Sequence, residues 1–188
     1  MRLFVSSSFE PAFTANLGAV EAYARDNAGK DTVKWVSPAN FHLTYAFLGD
    51  LDRDKTAAAE KGLAAGLAGL SSFRIVSGGF GVFPSARHPS VLWLGIGGGA
   101  ARLRELSRKI SEGLAAQGLV FENRFEPHVT LGRVKRELPE NFRRRVEDFA
   151  AGRKASSLIS SVELMESRLT PEGPVYREVR SQKLLGAV

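Results

Sequence analysis

The sequence predicts an α+β fold of two lobes related by a pseudo-twofold axis, each a mainly antiparallel sheet with two helices, flanking a central groove. Three observations carry that expectation. The stretch Phe41-His42-Leu43-Thr44-Tyr45-Ala46-Phe47-Leu48-Gly49 is echoed by Pro127-His128-Val129-Thr130-Leu131-Gly132-Arg133. Each half of the chain follows the order strand, helix, His-Thr strand, helix, strand. The two motifs also sit at matching places, 39 residues from Leu3 to His42 and 37 from Val91 to His128. Such self-similarity reads as a divergent internal duplication, whose twofold axis would set the two His-Thr strands opposite each other. The 188 residues are expected to form a single bilobal domain, with approximate lobes 1–86 and 87–188 that can exchange strands.

Taken in order, residues 1–6 read as a buried strand. A helix opens around Pro11 with Ser8 as its cap, carries Phe13, Leu17, Val20 and Ala24 inward, and closes at Gly29. Residues 33–36 form a short strand, and Ser37-Pro38-Ala39-Asn40 turns into the first His-Thr strand. Asp50, Asp52 and Asp54 offer capping carboxylates to an Ala-rich helix over 56–70. Residues 73–83 read as one strand bulged at Gly78-Gly79, followed by a loop over 84–89. A buried strand over 91–96 leads through Gly97, Gly98 and Gly99 into a helix with Leu103, Leu106, Ile110 and Leu114 on one stripe. Those glycines lack the lysine of a phosphate loop, so a tight strand–helix turn is expected. After the second His-Thr strand come a helix with Phe142, Val146 and Phe149 inward, a strand over 157–165, a turn over 170–174 and a final strand over 175–184.

Hydrophobic content of 44% and charged content of 24% are those of a globular domain. No apolar run approaches membrane-spanning length, and the start of the chain has no signal-peptide apolar region. Without cysteine there is no disulfide, thiolate chemistry or zinc–sulfur site. A cytoplasmic monomer is expected. The net charge of +6 favours anionic partners, although Arg143-Arg144-Arg145 reads first as a solvated helix face.

The chemistry concentrates in the paired motifs. The chain has three histidines and six threonines, so the chance that two histidines have Thr two residues on is about 0.003. Alternation puts His42 and Thr44 on one strand face, and His128 and Thr130 on another. Imidazoles titrating at about 6.5 can serve as general base and general acid, each worth about a hundred- to ten-thousandfold in rate. The threonine hydroxyls can donate to non-bridging phosphate oxygens. A phosphodiester suits this layout because attack and departure are in line, and no metal or cofactor is called for. A metal site would need Glu126 as a third ligand and finds no fourth. His88 reads as a surface loop residue. Arg133 could clamp phosphate, but strict alternation turns it off the His128 face unless the strand bulges at Gly132. Tyr45, Phe47 and Trp35 are core by default, with Trp35 or a rim Phe able to stack on a base. Tyr176 lines the groove or caps the sheet.

The chain resembles the two-histidine phosphoesterases, specifically the RNA 2′,3′-cyclic phosphodiesterases also called 2′-5′ RNA ligases. The likeness rests on both His-Thr motifs, on Trp35-Val36 and Asn40 before the first, on Val91-Leu92-Trp93-Leu94-Gly95, and on Gly173-Pro174-Val175-Tyr176. The resemblance implies metal-independent hydrolysis of RNA or nucleoside 2′,3′-cyclic phosphates to 2′-phosphates, with reversible 2′-5′ joining of RNA ends. It also implies that His42 donates a proton to the leaving 3′-oxygen, His128 accepts one from water, and Thr44 and Thr130 hold the phosphate. Tyr45-Ala46 departs from the Leu, often followed by Lys, usual in the family. Two other functions fit the residues: a nucleotide-binding module without turnover, and a phosphodiesterase for another small cyclic phosphate.

Overall fold

The computed structural model describes residues 1–85, 88–122, 124–171 and 173–186. Among these the chain forms β1 (Arg2–Ser7), α1 (Pro11–Ala28), β2 (Val33–Trp35), a 3-10 turn (Pro38–Asn40), β3 (Leu43–Asp50), α2 (Arg53–Leu67), β4 (Phe73–Pro84), β5 (Pro89–Ile96), α3 (Ala100–Ala116), β6 (His128–Val134), α4 (Phe142–Ala151), β7 (Ser156–Ile159), β8 (Ser161–Thr170) and β9 (Gly173–Lys183). Residues 86 and 87 of the expected loop over 84–89, and residue 172 of the expected turn over 170–174, lie outside the described residues.

Helix starts follow local chemistry, with two corrections. Proline pushes the residue before it out of helical space, so Glu10 (φ −61°, ψ 151°) rather than Ser8 precedes α1. Its carboxylate accepts from the Leu158 amide at 2.9 Å and from Arg74 at 3.2 Å. Asp52 caps α2 by accepting from the Lys55 amide at 2.8 Å, which starts that helix at Arg53 rather than at Thr56. Gly99, at φ +81°, makes the tight turn into α3, against β4.

Two sheets form, ordered β3-β1-β8-β9 and β2-β6-β5-β4-β7. The trios β3-β1-β8 and β6-β5-β4 are the same antiparallel arrangement twice. Each sets a His-Thr strand beside the opening strand of its own half, then adds a long strand from the opposite half. The region expected as one strand over 157–165 breaks at Ser160, because β7 joins β4 in the second sheet whereas β8 joins β1 in the first. The Ser160 carbonyl accepts from the Leu184 amide at 2.9 Å and pins the crossing. The bulge in β4 falls between Ser77 and Phe80, where the paired glycines predict it.

One helix from each half covers each sheet: α1 and α4 pack on the five-stranded sheet, α2 and α3 on the four-stranded one. α4 buries Phe142, Val146 and Ala150. Phe149, expected inward, is half-buried and stacks on Tyr23 of α1 with centroids 4.1 Å apart. Buried apolar side chains form one cluster spanning both sheets, including Val5, Leu43, Leu94 and Val129. α2 and α3 cross where Gly62 and Gly66 meet Gly113, and a Cβ on Gly62 would lie 2.7 Å from the Gly113 carbonyl oxygen.

A Cβ on Gly113 would collide with the Gly62 backbone, so Gly113→Ala must push the helices apart. It is expected to lower the unfolding free energy by about 1–3 kcal/mol in urea denaturation, despite alanine's better helix propensity.

Candidate active site

His42 stands one residue before β3 and His128 opens β6, and Cα atoms of these two strands approach within 8 Å. Both imidazoles are held in the same way. Nδ1 lies 2.7 Å from the backbone carbonyl two residues upstream, that of Asn40 for His42 and of Glu126 for His128. A carbonyl only accepts, so Nδ1 carries the hydrogen, and the neutral ring keeps a free lone pair on Nε2 for proton transfer. The threonines are therefore not the histidines' partners. Among the described residues, neither the Thr44 nor the Thr130 hydroxyl finds a hydrogen-bond partner, and both residues line the groove.

Each imidazole rests against an aromatic pair. His42 packs on Phe4 (centroids 5.0 Å) and meets Tyr176 edge-on at 5.2 Å. His128 meets Phe83 edge-on at 5.1 Å and Trp93 at 6.1 Å. Burial lowers the pKa of both histidines below the ordinary 6.5, and the carbonyl bonds at Nδ1 partly oppose this. The charge of His128 pushes His42 further down, whereas the charge of Glu126 supports His128. Burial also raises the Tyr176 phenol, and Arg133 acts against that rise.

The groove has a volume of about 560 Å³ and receives both His-Thr pairs together with Arg133, Tyr176 and Trp35. Arg133 arrives there by a bulge. Trp93 pairs with Thr130 but Leu92 with Gly132, which leaves Leu131 unpaired and returns Arg133 to the His128 face. The extra residue is Leu131 rather than Gly132. Glycine is needed at 132 for another reason, since a Cβ there would lie 2.6 Å from Val33 Cγ1 of β2. The first motif repeats the device. Ser6 pairs with Thr44 and Val5 with Ala46, so Tyr45 is the extra residue and Phe47 swings to the His42 face. Phe47 is thus a groove residue, 66% exposed, and the expectation of a core side chain is corrected. Tyr45 is buried as expected, its hydroxyl donating to Ser7 Oγ at 3.0 Å.

Sequence reasoning missed several contributors. Arg2 and Lys34 add positive charge to the lining, which contains no Asp or Glu among the described residues. Lys34 sits opposite Arg133 across the β2–β6 ladder, a pairing that no local pattern announces. Phe4, Phe83 and Trp93 each read as an ordinary strand residue, and only tertiary packing brings them to the imidazoles. The Asn40 side chain donates to the Pro174 carbonyl at 3.2 Å, tying the turn before His42 to the β8–β9 hairpin that carries Tyr176. Glu126, weighed as a third metal ligand, offers its carbonyl to His128 and turns its carboxylate to Arg104 at 3.3 Å. No group of three His, Asp or Glu able to hold a metal occurs among the described residues. His88 is exposed, and Arg143 and Arg144 pair with Glu147 and Asp148 along their own helix.

A cavity of nucleotide size, lined by cations and unpartnered hydroxyls, with two Nε2 lone pairs available, can bind a phosphate group and shuttle protons at two of its oxygens. Comparison with known proteins agrees with this chemistry. The profile of the 2′-5′ RNA ligase superfamily matches residues 13–170. An RNA 2′,3′-cyclic phosphodiesterase of Thermotoga maritima is 35% identical over 76% of this chain and 75% of its own. One of Archaeoglobus fulgidus is 32% identical over 96% of this chain and 98% of its own. A crystal structure from Thermus thermophilus superposes with a TM-score of 0.76 at 28% identity, covering 99% of both chains.

Titration of the two imidazoles by NMR is expected to give midpoints below 6.5 for both, rising when inorganic phosphate is added. Unfolding restores the ordinary value, so the unfolded chain binds more protons just below pH 6.5. The contribution of the neutral rings to stability should be complete above that pH and disappear as the pH falls through the folded midpoints.

Proposed function

Because the chain belongs to the 2′-5′ RNA ligase superfamily, we propose that it is a metal-independent phosphodiesterase that opens RNA or nucleoside 2′,3′-cyclic phosphates to 2′-phosphates. The observation that carries the reading is the matched pair of imidazoles, each locked by a carbonyl at Nδ1 with Nε2 left free, around one cation-lined groove.

In this mechanism neutral His128 takes a proton from water through Nε2 as the water oxygen attacks phosphorus. The bond from phosphorus to the 3′-oxygen breaks in line, and protonated His42 donates its Nε2 proton to that oxygen. The product is a 2′-phosphomonoester, and the two histidines have exchanged protonation states. Thr44, Thr130 and the Arg133 guanidinium donate to the non-bridging oxygens, where negative charge grows in the transition state. Tyr176 and Trp35 wall the groove, and Tyr176 helps desolvate His42. Run in the same direction with the 5′-hydroxyl of a second RNA in place of water, the same groups would make a 2′-5′ bond. One chain supplies every one of these groups, which suits a monomer acting on RNA ends in the cytoplasm. A module that only binds nucleotide gains nothing from burying two tautomer-locked imidazoles at the expense of their solvation.

The test is incubation with nucleoside 2′,3′-cyclic phosphates in excess chelator, with the product isomer read by phosphorus NMR. Expected are a 2′-phosphate product, a bell-shaped dependence of rate on pH, and a loss of about a hundredfold or more in His42→Ala and in His128→Ala with circular dichroism unchanged. Undiminished turnover in either variant, or a requirement for added metal, would overturn the mechanism.

A further inference from the structure

The residue two positions before each histidine lends its carbonyl to Nδ1, yet the side chains of those two residues go to different places. Glu126 turns its carboxylate to Arg104 of α3, a surface pair in which both side chains are more than half exposed. Asn40 instead donates from Nδ2 to the Pro174 carbonyl at 3.2 Å, a bond that spans 134 positions of the chain. We infer that Asn40 is a positioning residue, whose amide ties the β8–β9 hairpin to the peptide that orients His42. The seating of that hairpin then decides how the His42 ring presents Nε2 to the groove. The inference rests on the cyclic phosphodiesterase reading and extends it to how one of the two imidazoles is set.

The contacts close a ring. The Asn40 carbonyl lies 2.7 Å from Nδ1 of His42, the Asn40 amide holds Pro174, and Tyr176, two residues on, meets the same imidazole edge-on at 5.2 Å. Local structure holds the peptide between residues 40 and 41 by one bond, from the Phe41 amide to the Pro38 carbonyl at 3.2 Å. That bond has the poorer geometry of a 3-10 turn, so a second hold from a distant segment matters there.

The hairpin is also what a ligand in the groove touches, since Leu169, Thr170, Gly173, Pro174, Val175 and Tyr176 all line it. β9 is the edge strand of its sheet, so the hairpin is braced toward the groove by the Asn40 tie and by Tyr176 against Phe4, with centroids 5.0 Å apart. His128 takes an aromatic from the β4–β5 hairpin, Phe83, but the Glu126 side chain goes to a helix. The two imidazoles are therefore not equivalently held, and occupancy of the groove reaches His42 through the hairpin by a route that His128 lacks. The titratable and charged groups that share the groove with His42 are His128, Tyr176, Arg2, Lys34 and Arg133, and none of them is altered in the variants below.

Nitrogen-15 NMR of the imidazoles, paired with kinetics on adenosine 2′,3′-cyclic phosphate, tests the assignment. The variants are Asn40→Leu, which keeps the shape but removes the donor, and Asn40→Ala. In both, His42 is expected to lose its pure Nδ1–H form and to titrate at lower pH, because the carbonyl bond that favours its charged ring is weakened. His128 should keep its tautomer. kcat is expected to fall about 10- to 100-fold with KM changed less than about threefold, and one limb of the pH–rate bell should move to lower pH. Arg104→Ala, which breaks the exposed pair at Glu126, should leave the His128 tautomer unchanged. Pro174→Gly, which loosens the hairpin backbone, should reproduce the His42 change in part and add nothing to it in Asn40→Leu. An unchanged His42 tautomer in both Asn40 variants, a loss confined to KM, or additive losses in the double variant would overturn the tie. Variants with the altered His42 tautomer, in a chain whose wild type hydrolyses no cyclic phosphate, would remove the phosphodiesterase reading and leave the tie standing.

Discussion

The exchange of β4 and β8 between the two halves is the constraint on which the rest of the molecule depends. Each sheet takes its third long strand from the opposite half, so neither can complete its hydrogen-bond ladder without the other. The helices repeat the arrangement, since each covering pair draws one member from each half. The histidine strands are therefore fixed relative to each other by backbone hydrogen bonds within both sheets, rather than by a soft interface between independent lobes. Proton transfer needs heavy-atom separations held to a few tenths of an ångström, and a doubly stitched scaffold can supply that.

Within that frame the local devices are few and paired. A carbonyl two residues upstream orients each imidazole, an aromatic pair dries it, and a bulge three residues past each histidine turns the side chain two positions further on back into the groove. Drying lowers both imidazole pKa values, and the proximity of the rings adds to the effect on His42. A bound phosphate anion would reverse much of that penalty, so occupancy of the groove and protonation of the imidazoles are thermodynamically linked. Symmetry supplies the shared parts, and the matching groove positions break it by holding Phe47 on one strand and Arg133 on the other.

Much of this was legible in local pattern. Period-two alternation identified both His-Thr strands, the 3.6-residue stripe found α3, and Gly78-Gly79 marked a bulge that β4 does contain. The four candidate site residues His42, Thr44, His128 and Thr130 emerged from the repeat alone and share one groove. Reading failed where the answer depends on a partner strand. Strict alternation turned Arg133 away from the site, and the default for an aromatic residue put Phe47 in the core, because a bulge is a relation between two registers and not a property of one strand. The crossing at Ser160 was invisible for the same reason: an apolar run does not say which sheet edge it will meet.

The sequence by itself determined the chemistry: which side chains can carry protons, which can donate to an anion, and that both sets occur twice at equal spacing. Such properties are covalent or depend on periodicities of a few residues, so they survive without knowledge of the fold. Only the tertiary structure decided that the sets converge, which ring nitrogen is free, which aromatics exclude water, and that positions 47 and 133 face the groove. Those outcomes depend on register and burial, which are set by contacts between segments more than a hundred residues apart, such as β1 with β8.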